Sequence, residues 1–312
     1  MDQKNLNSEV LERVSKKFYG HNVLFSKYTP QIPAGAEREY IRLTNQYMEI
    51  LKEELEKMLP ELKAIYKLER DAEAKNRHND SVLDLILAVS RLFSTVKNNI
   101  IVRAKAFGLE RKLLTIANLN RRLTTREWEK AIRATLGIDI REDYYLGNFY
   151  ADQLAIWVSD NVDLIKTIPE DTLDKMKDIV LDGFENGKTT TRIAREIQQA
   201  YGVSRRKAKS IARDQTAKLN GQIQRAQQQD AGISKYIWST VGDSRVRDSH
   251  SALNGKVFSW DNAPVNSDGR KCHPGEDYNC RCIGRPVFDK RTLTLPVKDE
   301  SVKVSIKKNG GM

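Results

Sequence analysis

All three cysteines of this chain, and two of its four histidines, fall in one short stretch: His250, then Cys272-His273, then Cys280-x-Cys282. Three cysteines scattered at random over 312 positions would rarely land within eleven residues. Thiolate and imidazole are the donors that a tetrahedral Zn2+ prefers, and three Cys with one His is a familiar set. The segment around them is rich in turn formers, Asn254-Gly255, Asp268-Gly269 and Pro274-Gly275, and reads as poor in apolar residues. So small a segment buries little area, whereas a structural zinc contributes on the order of 10 kcal/mol to a small fold. The expected ligands are therefore His250, Cys272, Cys280 and Cys282, with His273 as the alternative to either of the first two. The competing reading is a set of unrelated buried thiols beside surface histidines.

A charged run, Asp243-Ser244-Arg245-Val246-Arg247-Asp248-Ser249-His250, stands next to the cluster. A metal-dependent nuclease would gather Asp243, Asp248 and His250 around an ion with an open position for water. A structural site would instead use Asp243 to cap a turn and an arginine to brace a carboxylate or carbonyl. When protein fills all four positions no water can be activated, so the expectation is a structural ion and no catalytic residue.

The elements that must position this cluster are mostly helical before Lys235. Apolar residues recur every three or four positions at Tyr40, Leu43, Tyr47, Leu51, Leu55 and Met58, with Pro60 expected to end or kink that helix. A second stripe runs from Val82 to Ile100, and Gly108 is a natural stop. Thr124 with Glu127 makes a capping-box pattern before a helix carrying Trp128 and Ile132. Pro169 punctuates the next boundary, and three shorter helices are expected beyond it: Glu170 to Phe184, Thr189 or Thr190 to Tyr201, and Ser204 to Asp230. Gly202-Val203-Ser204 between the last two superficially resembles a helix-turn-helix. Arg205, Arg206, Lys209 and Arg213 share one sector of the last helix and form a candidate strip for phosphate contact. Past Lys235, Tyr236 to Thr240, Lys256 to Phe258 and Cys282 to Phe288 read as strands, with a loose pair expected at Leu293 to Val297 and Val302 to Ile306.

The fold class expected is thus mainly α: an elongated helical body followed by a small α+β C-terminal domain with a Cys/His metal-binding knot. Its domains are expected at 1–168, 169–288 and, as a basic tail, 289–312. The net charge of +11 favours an acidic partner, and nucleic acid is the commonest. No secretory signal opens the chain, and Val82 to Phe93, broken by Asp84 and Arg91, reads as too short to span a membrane. The cysteines do not read as a secreted disulfide framework, so a reducing cytosol is expected.

An ordered set of motifs resembles the phage head morphogenesis proteins, the minor head (Mu F-like) family. It comprises Ile211-Ala212-Arg213-Asp214, Asn220, Trp238-Ser239-Thr240, Asp243 to Arg247 with His250, Asn254-Gly255-Lys256-Val257-Phe258, Pro274-Gly275 and Asn279-Cys280-Arg281-Cys282. The resemblance covers roughly residues 170 to 288, and marks Asp243, Arg245, Arg247 and Gly255 as its structural motif. It implies a virion component inside the head at the portal vertex, made in the host cytoplasm. Such a protein acts in procapsid assembly and in DNA packaging or delivery. Its implied partners are the portal protein, scaffolding or major capsid protein, and double-stranded DNA held non-specifically, with no membrane. Many relatives carry Cys-x-x-Cys after the Asp-x-Arg, and here Arg247 and His250 stand at those positions.

Overall fold

The computed structural model describes residues 8–73 and 78–298. The elements in chain order are α1 (Ser8–Lys17), β1 (Val23–Phe25), α2 (Ala34–Glu73), α3 (His78–Phe107), α4 (Leu109–Leu136) and α5 (Glu142–Leu146). Then come α6 (Ala151–Glu185), α7 (Thr190–Asp230), β2 (Lys235–Ser239), α8 (Asp248–Ser251), β3 (Val257–Ser259) and β4 (Ile283–Asp289). The protein is mainly α with a small α+β C-terminal portion that carries the His/Cys cluster, as the sequence implies. The expected strand at Val302 to Ile306 lies outside the described residues.

The chain forms two compact units, one from Met1–Arg38, Ile116–Trp157 and Arg213–Met312, the other from Glu39–Thr115 and Val158–Ala212. In the first, Val10, Val14 and Phe18 of α1 bury with Trp128, Ile132 and Leu136 of α4 and with Ile233, Phe288 and Leu295. The sheet has the order β1-β4-β2-β3 with every pair antiparallel. Strand β1, only three residues long, is not foreshadowed by the sequence; it completes the sheet by pairing Leu24 with Phe288. Its shortness gives it no period-2 signature to read.

Helix α4 runs unbroken through the expected capping box. Gly108 takes φ +66 and ends α3, and nothing in Leu109–Leu136 breaks the next helix. Thr124 is therefore interior, and its hydroxyl donates to the carbonyl of Asn120 and reaches Asn220 Oδ1 at 2.9 Å. Asn120 Nδ2 donates to the Thr216 carbonyl and Gln227 Nε2 to Thr125 Oγ1, both at 2.9 Å, so a buried polar ladder joins α4 to α7. Glu127 accepts instead from Tyr28 Oη at 2.6 Å and from the Gln31 amide at 2.8 Å.

The helix-turn-helix is likewise absent. Helix α7 continues through Gly202, whose φ is not positive, and Ser204 donates to the Ala200 carbonyl from mid-helix instead of capping a start. A lone glycine weakens a helix by about 1 kcal/mol without ending it. Pro60 and Pro169 also lie inside helices, α2 and α6.

In the second unit, Leu85, Val89, Phe93, Val96 and Ile100 form the buried stripe of α3. By length and composition alone Leu83–Phe107 would suffice to cross a membrane, which corrects the reading of the apolar stretch, taken as Val82 to Phe93, as too short to do so. Glu54 of α2, with its side chain 3% exposed, accepts from Lys57 Nζ (2.7 Å), Asn99 Nδ2 (3.0 Å) and Arg103 Nη1 (2.9 Å). Burial pushes this carboxyl up, but the bonds from Lys57, Arg103 and Asn99 outweigh it and leave it lowered from 4.5. A depressed folded value means the contribution is present above pH 4.5 and is lost as pH falls through the lower folded value. Glu54→Gln should therefore lower stability at neutral pH by about 1–3 kcal/mol and flatten the acid limb of a thermal-melt series. An acid limb of unchanged steepness would count against the assignment.

Candidate metal centre

The pairing of β2 with β4 sets the frame, with Trp238 opposite Gly284 and Ser239 opposite Ile283. A side chain at Gly284 would lie 2.7 Å from the Trp260 ring, so glycine lets that indole lie against the strand. Tyr236, Trp238 and Trp260, each no more than 1% exposed, make a satellite core with Leu253, Cys272, Cys280 and Cys282. Between β2 and β3 the chain turns at Asn254-Gly255: the Gly255 amide returns to the Trp238 carbonyl at 2.8 Å, and Asn254 Oδ1 accepts the Thr240 amide at 3.0 Å. Gly255 has φ +79, which glycine adopts without strain. This closure presents the one-turn helix α8 and its buried His250 to the loop before β4.

His250 Nδ1 lies 3.5 Å from Cys280 Sγ and 3.5 Å from Cys282 Sγ. Donor atoms of His250, Cys280 and Cys282 all lie within 4.8 Å of one another, and so do those of His250, Cys272 and Asp277. All five residues are buried. The amides of Gly275 and Cys282 both donate to Cys280 Sγ at 3.4 Å. Amides aimed at one sulfur stabilise a thiolate, the form that binds metal. The hydrogen bond from Cys282 is the main influence pulling the Cys280 thiol down to about 5; burial opposes it and His250 assists. The same bond, with burial, drives Cys282 upward. Burial pushes Cys272 up to about 11. Two sulfurs and an imidazole within reach of one another, with a third buried thiol in the neighbouring group, are donors that suit a soft, tetrahedral divalent ion.

His273, the alternative ligand, faces Tyr236 and Trp260. Its Nδ1 sits 2.9 Å from Tyr236 Oη and its ring packs on Trp260, outside both donor groups. Burial lowers its basicity.

The trio that a nuclease would need is not assembled around a shared point. Arg281 grips both oxygens of Asp243 at 2.6 and 2.7 Å and holds that carboxyl far below its ordinary range, while the Arg245 amide reaches Asp243 Oδ1 at 3.1 Å. Asp248 is exposed in the first turn of α8. Among the described residues neither aspartate joins a donor group with His250. Arg247 reaches Asp277 Oδ2 at 3.2 Å and also donates to the Tyr278 carbonyl.

Asp214, Gly275 and Asn279 stand in the ordered motifs, but the sequence gives no sign of the positioning contacts they make. Buried Asp214 of α7 accepts the amide of Asn279 at 2.7 Å, and Asn279 itself has φ +51. Gly221 of α7 lies against Gly275, where a side chain would come within 2.9 Å of the Pro274 carbonyl. These contacts pin the Cys280 loop to α7 across more than fifty residues of chain, and no local spacing announces them. Of the basic strip, Arg205, Arg206, Lys209 and Arg213 are all exposed on α7. Arg205 donates to Asn45 at 3.3 Å and Arg213 to Glu37 at 3.0 Å.

The model of the family described as Phage Mu protein F like protein matches residues 174–284, a span holding all of α7, β2, α8 and β3 and every donor above. An uncharacterized protein of Haemophilus influenzae is 36% identical over 155 residues, which is 49% of this chain and 33% of that protein. The chain thus spans about a third of the length of that relative. No solved structure matches it. Over residues 174–284, about a third of its length, the chain is thus similar to the Phage Mu protein F like family, in the region where the ordered motifs fall.

Proposed function

We propose that this protein is a non-catalytic minor head component of a phage virion, seated at the portal vertex and acting in procapsid assembly and DNA packaging or delivery. The observation that carries this reading is the family match over 174–284, which frames the buried His/Cys cluster. On this reading 169–288 is the functional domain, 1–168 the helical body and 289–312 a basic tail. His250, Cys272, Cys280 and Cys282 would hold a structural Zn2+, which supplies cross-linking of the loops and not water activation. Co-expression with the cognate portal protein should yield a complex whose elemental analysis returns about one zinc per chain. A complex that forms without metal would separate the two halves of the reading; no complex at all would remove the portal assignment.

Non-specific DNA contact belongs to the same proposal, supported by exposed Arg205, Arg206, Lys209 and Arg213. Replacing all four by glutamine should weaken binding at low salt and reduce the slope of log affinity against log salt by up to about 3–4. An unchanged slope would move the DNA contact elsewhere. Asp243, Asp248 and His250 would give a nuclease only if plasmid nicking with Mg2+, Mn2+ or Zn2+ were lost on His250→Ala.

A further inference from the structure

We propose that Asp277 is not a ligand but the outer carboxylate of this centre, fixing His250 so that its Nδ1 alone faces the metal. The inference rests on the metal reading above and deepens it. Both oxygens of Asp277 are already fully engaged. Its Oδ1 accepts from Arg270 Nη1 at 2.9 Å and from the Tyr278 amide at 2.8 Å. Its Oδ2 meets Arg247 Nη1 at 3.2 Å and His250 Nε2 at 3.1 Å. An ionised carboxylate has about four acceptor sites, and here four donors occupy them. For Asp277 to ligate an ion, it would have to release one of these partners in a site where it is itself only 8% exposed.

The consequence for His250 follows from its tautomer. A carboxylate at Nε2 keeps the proton on that nitrogen and leaves the Nδ1 lone pair free, and Nδ1 is the atom that lies 3.5 Å from both Cys280 Sγ and Cys282 Sγ. Of the two donor groups that share His250, the one containing Cys280 and Cys282 is therefore the ion's position; Cys272, which falls in the other group, enters as the third sulfur only through the ligand set proposed above. Charge supports this arrangement. A divalent ion with three thiolates carries a net negative charge, and Asp277 adds another. Arg247 and Arg270 both contact Asp277 and offset them, while Asp268 pairs with Arg270 Nη2 at 3.3 Å and also interacts with Ser249 and His250. A carboxylate hydrogen-bonded to a ligating histidine in this way typically raises metal affinity by about 10–100-fold.

The test is a Co2+ titration of the full chain followed by visible absorption, with Asp277→Asn as the variant and 113Cd-loaded, 15N-histidine-labelled parent as an independent measurement. The parent should show the ligand-field envelope of three thiolates and one imidazole. Asp277→Asn should keep that envelope and bind about 10–100-fold more weakly. In the cadmium form, coupling should appear at Nδ1 of His250. A changed envelope in Asp277→Asn would make Asp277 a ligand and overturn the proposal, as would undiminished affinity or coupling at Nε2. The NMR result stands even if the variant fails to fold. A parent that takes up neither ion would overturn the metal site together with its outer carboxylate.

Discussion

Cys280→Ser should leave the purified protein without metal and open residues 261–282 to protease, while the helical circular dichroism changes little. The size of the effect comes from the ion. Zinc in a small structural site is worth on the order of 10 kcal/mol, and serine is a far poorer ligand than thiolate. The substitution also removes the sulfur that accepts the amides of Gly275 and Cys282. Collapse should nevertheless be local. The segment has few apolar residues, but its aromatics are core anchors: Tyr236 and Trp260 pack with ring centroids 4.1 Å apart, and Trp238 is fully buried beside them. Aromatic side chains each bury about 150–250 Å², enough to keep β2 and β4 paired once the ion is gone. The loop between β3 and β4 has less such support: beyond His273 on Tyr236 and Trp260 and Gly275 on Gly221, it depends on Asp277, Asp214 and the sulfurs. Limited proteolysis with mass mapping, beside elemental analysis, reads both halves. Metal-free Cys280→Ser as protease-resistant as the parent would sink the claim that an ion organises this loop, and a chelator applied to the parent should reproduce the variant's cleavage sites.

What the sequence made legible was whatever repeats locally. The stripes of α2 and α3 follow the 3.6-residue period, and β2, β3 and β4 stand within a residue or two of their expected places because aromatic and β-branched runs lie between turn formers. The donors could be named because their residue types are rare and chemically specific. Illegible features were those set by tertiary contact. Thr124 looks like a cap, and only the partner helix α7 shows that its hydroxyl belongs to an interhelical ladder. Gly202 and Ser204 look like a turn, yet packing overrides the weak local preference and α7 stays whole. Asp277 sits in Glu276-Asp277-Tyr278-Asn279, an ordinary polar run, and acquires its role only when Arg247 and Arg270, far apart in sequence, converge on it.

Gly232→Ala should be the most damaging single substitution outside the metal centre. This glycine ends α7 at φ +73, with the Ile233 amide returning to the Gln228 carbonyl at 2.9 Å. A left-handed backbone costs an alanine about 1–2 kcal/mol. The steric clash costs more, since an added Cβ would stand 1.9 Å from the carbonyl oxygen of Thr292, a backbone atom that cannot swing aside. Thr292 is fixed there by its own hydroxyl, which donates to the Gly232 carbonyl at 2.7 Å, and the Thr294 amide binds the Ala231 carbonyl at 3.0 Å. Displacing this crossing disturbs Ile233, Phe288 and Leu295 in one core, so the combined loss should reach about 2–5 kcal/mol. Gly255→Ala is the matched control: its φ is +79, but no atom lies within 4 Å of the added carbon. It should lose only the cost of the left-handed backbone, about 1–2 kcal/mol. Urea unfolding of the two variants measures the difference directly, and equal midpoints would mean that the chain after β4 does not pack against the end of α7.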